Sequence, residues 1–193
     1  MQTKIANAIK KCPLYMEEIG VIIGCLLGDG TLSKSGKDYR LRIEHADKHS
    51  EYVAWKYQLL RRLTVSVPTK VNAHNSMRFG TVGHPDLTAL RSEWYQGKTK
   101  HVPKSLSELS VISIAVWFMD DGTKHRDTVD FSVHNFEKIE IVKLQKILQS
   151  YGIETTINFD GKGSRLYVKK DSYQAFKALV NPYIVKCMAY KLP

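Results

Sequence analysis

The sequence predicts an α+β fold made of two copies of one αββαββα unit, residues 1–100 and 101–193, packed about a pseudo-twofold axis. Three observations carry that prediction. Two apolar stretches end in an acid followed by glycine, Ile22–Gly30 (IIGCLLGDG) and Ile114–Gly122 (IAVWFMDDG), which puts Asp29 and Asp121 92 residues apart. Two amphipathic segments repeat in step, with Glu51, Val53, Trp55 and Leu59 answering to Glu140, Val142, Leu144 and Leu148 at a constant offset of 89. Each half closes on a lysine shortly before a proline, Lys100 with Pro103 and Lys191 with Pro193.

The first element of each half is a helix that is apolar nearly all round, and such a helix has to be buried. In the first copy Gly20, Gly24 and Gly28 recur every four residues and leave one face bare; Ile112, Val116 and Asp120 hold the matching positions in the second. The two helices are therefore expected to pack closely on each other, bare face against bulky face. After each Asp-Gly comes a short polar turn, then an alternating strand ending in histidine, Tyr39–His45 (YRLRIEH) and Thr128–His134 (TVDFSVH). The amphipathic helices follow. Further strands are expected at Thr69–Ala73 and Ser76–Val82, and at Thr155–Asp160 and Ser164–Lys169, the latter pair joined through Gly161 and Gly163. Helices around Pro85–Trp94 and Ser172–Val180 complete the two copies, and Trp55, Trp94 and Trp117 fall at core spacing.

Composition narrows the function. At 43% hydrophobic the chain can bury a core, and a net charge of +10 on a folded body points to a polyanion, nucleic acid ahead of a membrane surface. Cys12, Cys25 and Cys187 are odd in number and scattered, which fits neither a disulfide framework nor a cysteine zinc site and suggests a reducing compartment. The most apolar runs, Ile19–Leu27 and Val111–Met119, are about half the ~20 residues that a spanning helix needs. No uninterrupted apolar segment suggests a signal peptide, so an intracellular protein is expected.

One Asp-Gly is an ordinary turn. Two, each closing an apolar helix, put carboxylates where the helix dipole is already negative, so paired ends call for a cation. Mg²⁺ takes one or two carboxylates together with water and phosphate oxygens, and Asp29, Asp121 and a phosphodiester supply that set. Lys100 and Lys191, matched between the halves, are candidates to stabilise developing charge or to order water.

The residues resemble the LAGLIDADG homing endonucleases, single-chain class with two motifs. The resemblance runs from about Tyr15 to Pro193; WFMDDGTK and the tail PYIVKCMAYKLP are its most specific stretches and resemble the branch encoded in mobile introns. It implies that Asp29 and Asp121 bind the metals with Gly28 and Asp120 beside them, that Mg²⁺ is the cofactor with Mn²⁺ or Ca²⁺ substituting for binding, and that Lys100 and Lys191 are the basic residues at the cleavage centre. Leu27 and Met119 replace the motif's earlier acid, which is not a ligand, and Val116 replaces a small residue. It further implies two curved antiparallel sheets forming a saddle over duplex DNA, cleavage of both strands with 3′ overhangs, a role in intron or intein mobility, and a setting in an organelle or a prokaryotic cytoplasm. Two unlike halves in one monomer imply a long non-palindromic site.

Alternation assigns the DNA face. With Leu41 and Ile43 inward, Arg40, Arg42 and Glu44 point outward, joined by Arg78. With Val129, Phe131 and Val133 inward, Thr128, Asp130, Ser132 and His134 point outward; with Ile157, Phe159, Leu166 and Val168 inward, Thr156, Asn158, Arg165, Tyr167 and Lys169 do. Lys124, just past the second motif, completes the expected DNA contacts. Arginine reads guanine edges bidentately, and short polar residues reach bases directly or through water. His45 and His49, four apart, lack the glutamate and second ligand pair of a zinc helix and are expected to be hydrogen-bonded or exposed. The competing function is a non-catalytic binder, an intron RNA maturase or a DNA-binding regulator.

Overall fold

A computed structural model describes residues 2–193. A short helix, α1 (Gln2–Ile9), precedes the repeat. The first copy then runs α2 (Met16–Leu27), β1 (Thr31–Ser35), β2 (Asp38–Ala46), α3 (Ser50–Leu59), β3 (Thr69–Val71), β4 (Ser76–Gly80) and α4 (Pro85–Trp94). A small hairpin, β5 (Tyr95–Gln96) and β6 (Thr99–Lys100), leads to the second copy: α5 (Val111–Asp121), β7 (Gly122–Lys124), β8 (Val129–Ser132), α6 (Lys138–Ser150), β9 (Thr155–Phe159), β10 (Ser164–Val168) and α7 (Tyr173–Val180). The αββαββα order holds in both copies. The polar turns expected after each Asp-Gly are in fact strands: β1 and β7 are the edge strands of two antiparallel sheets of identical order, β1-β2-β4-β3 and β7-β8-β10-β9. Their polarity misleads because an edge strand needs apolar residues on one face only.

Helices α2 and α5 pack against each other as the glycine pattern predicts. A Cβ on Gly24 would lie 2.7 Å from the Ser113 carbonyl and 2.7 Å from Val116 Cβ, Gly20 faces Ile112, and Gly28 faces Asp120. Only glycine permits that approach. The seam is pinned by Ser113, whose hydroxyl donates to the Gly20 carbonyl at 2.8 Å. Leu27 and Met119, at the motif's earlier acid positions, are both buried. Val21, Ile22, Ile114, Trp117 and Phe118 extend the core from this seam to the strand residues Leu41, Ile43, Phe131 and Leu166. Trp94 and Trp117 are buried there and Trp55 packs at its margin. The three cysteines are free. Among the described residues no helix is long and apolar enough to cross a membrane.

Two of the expected outward positions, and one expected inward, need correction. Thr128 is buried, and its hydroxyl donates to the Val168 carbonyl at 2.8 Å, so it closes the sheet. Asp130 lies at an outward position but is 4% exposed, because His125 Nε2 (2.7 Å) and the Arg165 guanidinium cover it. Lys124 is exposed at the end of β7, although its register partner Val129 faces the core, and Thr123, opposite Asp130, occupies the outer register. Phe159, expected inward, is 73% exposed, since the β9–β10 hairpin tip extends past the core.

Candidate active site

Both motif helices deliver their acids to one place. α2 ends at Leu27, so Asp29 lies in the turn beyond it, half-exposed; Asp121 is the last residue of α5 and more enclosed. Lys100 Nζ donates to the carbonyls of Gly28 and Gly30, the latter at 3.1 Å, and Lys191 Nζ donates to the carbonyl of Asp120 at 2.8 Å. Each lysine thus grips the peptide just before one of the acids, at a helix end whose unpaired carbonyls favour a cation. Lys191 reaches its place from a 3-10 helix, Lys186–Lys191, inside the tail stretch that the sequence singled out.

The electrostatics are unbalanced in one direction. Enclosure, then the charges of Asp29 and Asp120, push the Asp121 carboxyl up to about 7. Asp29 is raised too, by partial enclosure and by Asp120. Burial lowers both Lys100 and Lys191. A cluster of oxygen donors that two lysines leave short of positive charge fits a hard divalent cation, which Asp29 and Asp121 would hold between them.

Beside the acids lies a group that the sequence reading missed. Lys56, on α3, is fully buried; its Nζ lies 2.7 Å from Asp120 Oδ1 and 3.1 Å from His45 Nε2. Tyr52 O–H donates to Asp120 Oδ1 at 2.8 Å and the Asp29 amide to Asp120 Oδ2 at 3.3 Å. Burial opposes the charge on both members, but the Lys56–Asp120 attraction and its hydrogen bonds win, raising the lysine and lowering the aspartate. His45, enclosed and next to the Lys56 charge, is lowered to about 4 and stays neutral. Asp29, His45 and Asp120 bring donor atoms within 4.8 Å of one another, yet the Lys56 ammonium already serves Asp120 and His45 as their cation. A signal existed: His45 is in phase with buried Leu41 and Ile43, and Lys56 shares the stripe of Tyr52, Val53 and Leu60. A lysine in a buried stripe requires a partner.

Around this centre the expected DNA face divides. On the first sheet Arg40, Arg42, Glu44 and Arg78 are exposed; Arg40, Arg42, Arg78 and Thr69 line one shallow groove, and Glu44 pairs across the strands with Arg78. On the second sheet Thr156, Asn158 and Lys169 are exposed. Arg165 is held by Thr123, Asp130 and Asp160, and Tyr167 packs on His125 with ring centroids 5.0 Å apart. Ser132 and His134 share a recess with Gly28, Lys100 and Asp121, so they border the acids themselves.

Two packed helices thus carry their acids to one place beside two antiparallel sheets, the first of which exposes Arg40, Arg42 and Arg78. The chain belongs to the LAGLIDADG DNA endonuclease family, whose model matches residues 19–176. It is 27% identical to the DNA endonuclease I-ChuI of Chlamydomonas applanata, over 93% of this chain and 95% of that protein. It is 28% identical to the cytochrome b mRNA maturase bI2 of Debaryomyces hansenii, over 93% of this chain and 75% of that one. Among solved structures it resembles the homing endonuclease I-WcaI bound to its DNA recognition sequence, with a TM-score of 0.80 at 25% identity over 96% of this chain and 90% of the other. I-DmoI in complex with DNA and Mn shares the fold at 15% identity, with a TM-score of 0.59 over 88% and 98%.

Proposed function

We propose that this chain is a monomeric, site-specific endonuclease that hydrolyses both strands of a long asymmetric DNA duplex with a divalent metal, leaving 3′ overhangs. The observation that carries this reading is the matched pair of Asp29 and Asp121, each preceded by a peptide that Lys100 or Lys191 holds. Bound at the two carboxylates, Mg²⁺ supplies a polarised phosphodiester and a water of lowered pKa, and Mn²⁺ or Ca²⁺ takes the same oxygen donors. Gly28 brings only its carbonyl to such a site, and Asp120 acts through its carbonyl and as the counter-ion of Lys56. Lys100 and Lys191 fix the height of the acids and keep positive charge where the phosphate would gather negative charge.

In this reading Arg40, Arg42 and Arg78 contact base edges on one half-site and Thr156 and Asn158 on the other, while Lys169 contacts phosphate. The two halves, 1–100 and 101–193, present unlike side chains, which suits a non-palindromic target. Such an enzyme acts in an organelle or prokaryotic cytoplasm that carries an intron-bearing genome. Selection of cleaved sites from a randomised plasmid library with Mg²⁺ tests the reading: one asymmetric sequence should be recovered. Cleavage that persists in Asp29→Asn or Asp121→Asn overturns it.

The likeness to the bI2 maturase favours a second reading, RNA binding that assists intron splicing. Specific binding of the host intron RNA, without double-strand cleavage of the joined exon DNA, would put that role first.

A further inference from the structure

An ammonium has hydrogen-bond donors and no acceptor, so His45 Nε2, 3.1 Å from Lys56 Nζ, must be the acceptor and the ring proton must sit on Nδ1. That Nδ1 faces Asp29 Oδ2 at 3.6 Å, within a few tenths of an ångström of a hydrogen bond. The Tyr52 ring packs on the imidazole with centroids 5.1 Å apart, and its hydroxyl braces Asp120, which in turn anchors Lys56. Asp120, Lys56, His45 and Asp29 thus form one chain of contacts from the second motif to the acid of the first.

The other half has no such chain. At the offset of 89, His45 corresponds to His134, Lys56 to Gln145 and Tyr52 to Ile141, while Gly28 stands where the second motif has Asp120. Gln145 donates its amide to the Thr155 carbonyl at 2.6 Å, and His134 faces Asp160 at 3.7 Å. The additional acid at 120 and the buried lysine and tyrosine that receive it occur together, on one side only.

We propose that His45 is a positioning residue for Asp29: Lys56, anchored by Asp120, fixes the imidazole as its Nδ1–H tautomer and aims that N–H at the Asp29 carboxylate, so the two acids are held by different means. This rests on the metal-binding reading of Asp29. Orienting partners of metal-binding carboxylates typically matter by about 10–100-fold in affinity.

The test uses the full chain. Proton–nitrogen correlation spectra of ¹⁵N-histidine-labelled protein should show His45 protonated at Nδ1 and bare at Nε2; an Nε2–H tautomer overturns the proposal and needs no variant. Mn²⁺ alone, titrated by electron paramagnetic resonance, should bind roughly tenfold more weakly to His45→Ala, whereas His45→Asn, which keeps an N–H at the Nδ1 position, should recover most of that loss. Mn²⁺ binding that Asp29→Asn abolishes and His45→Ala leaves unchanged refutes the positioning role while the endonuclease reading stands. Wild-type protein with the Nδ1–H tautomer and tight Mn²⁺ binding but no cleavage of any DNA would retain the positioning role and reject the endonuclease.

Discussion

The side chain of Lys191 donates to the main-chain carbonyl of Asp120 at 2.8 Å, and in the first half Lys100 donates in the same way to that of Gly28. Each lysine therefore links the closing segment of its half to the peptide that precedes Asp29 or Asp121. Lys100→Met and Lys191→Met should each lower the cleavage rate about 100-fold or more. The loss of a cation at a helix C-terminus should cost only about 1 kcal/mol of stability. Single-turnover cleavage and thermal unfolding, measured on the same variants, separate the two effects. An unchanged cleavage rate would remove both lysines from the centre.

The raised Asp121 carboxyl makes the metal-free fold sensitive to pH. Its folded pKa, about 7, exceeds the 3.8 of an ordinary aspartate, so the folded state binds more protons between those values. Stability from this group is fully present below pH 3.8 and is lost as pH rises through about 7. Asp121→Asn should accordingly raise the melting temperature in EDTA, more at pH 8 than at pH 5. Mg²⁺ binding should weaken below pH 7, as protons compete for the same carboxylate.

Removing one member of the buried pair should be costly. Lys56→Met leaves Asp120 charged and enclosed, with an expected loss of about 3–5 kcal/mol, whereas Lys56→Met combined with Asp120→Leu should recover much of it. A double-mutant cycle in urea measures this. Equal losses in the single and double variants would show that Lys56 acts by packing alone.

The helix seam is as tight as its glycines allow. Gly24→Ala places a methyl 2.7 Å from both the Ser113 carbonyl and Val116, and should destabilise the fold by about 1–3 kcal/mol. Val116→Ala in the same chain should restore only part of that, because the Ser113 clash is with backbone.

On the exposed face of the first sheet, Arg42→Ala or Arg78→Ala should relax base preference within one half-site, at a cost of about 1–3 kcal/mol in discrimination. Thr128→Val should lower stability and leave specificity unchanged, since that hydroxyl is buried against Val168. Profiling cleavage of single-base variants of the target distinguishes the two behaviours.

The sequence by itself determined the repeat, the order of elements apart from the edge strands β1 and β7, the bare face formed by Gly20, Gly24 and Gly28, and the acids at the ends of α2 and α5. These follow from periodicity, which is a local property: spacing of 3.6 or 2 residues dictates which face is buried, and a glycine every fourth residue dictates how near a partner helix comes. Only the tertiary structure decided which polar groups satisfy one another. Lys56 and Asp120 are 64 residues apart and meet at a helix seam that alternation does not encode. Asp130 holds an outward position yet is covered by Arg165 from β10 and His125 from the turn before β8. A buried charge persists only where its partner is, and that partner is supplied by whatever element the fold packs against it.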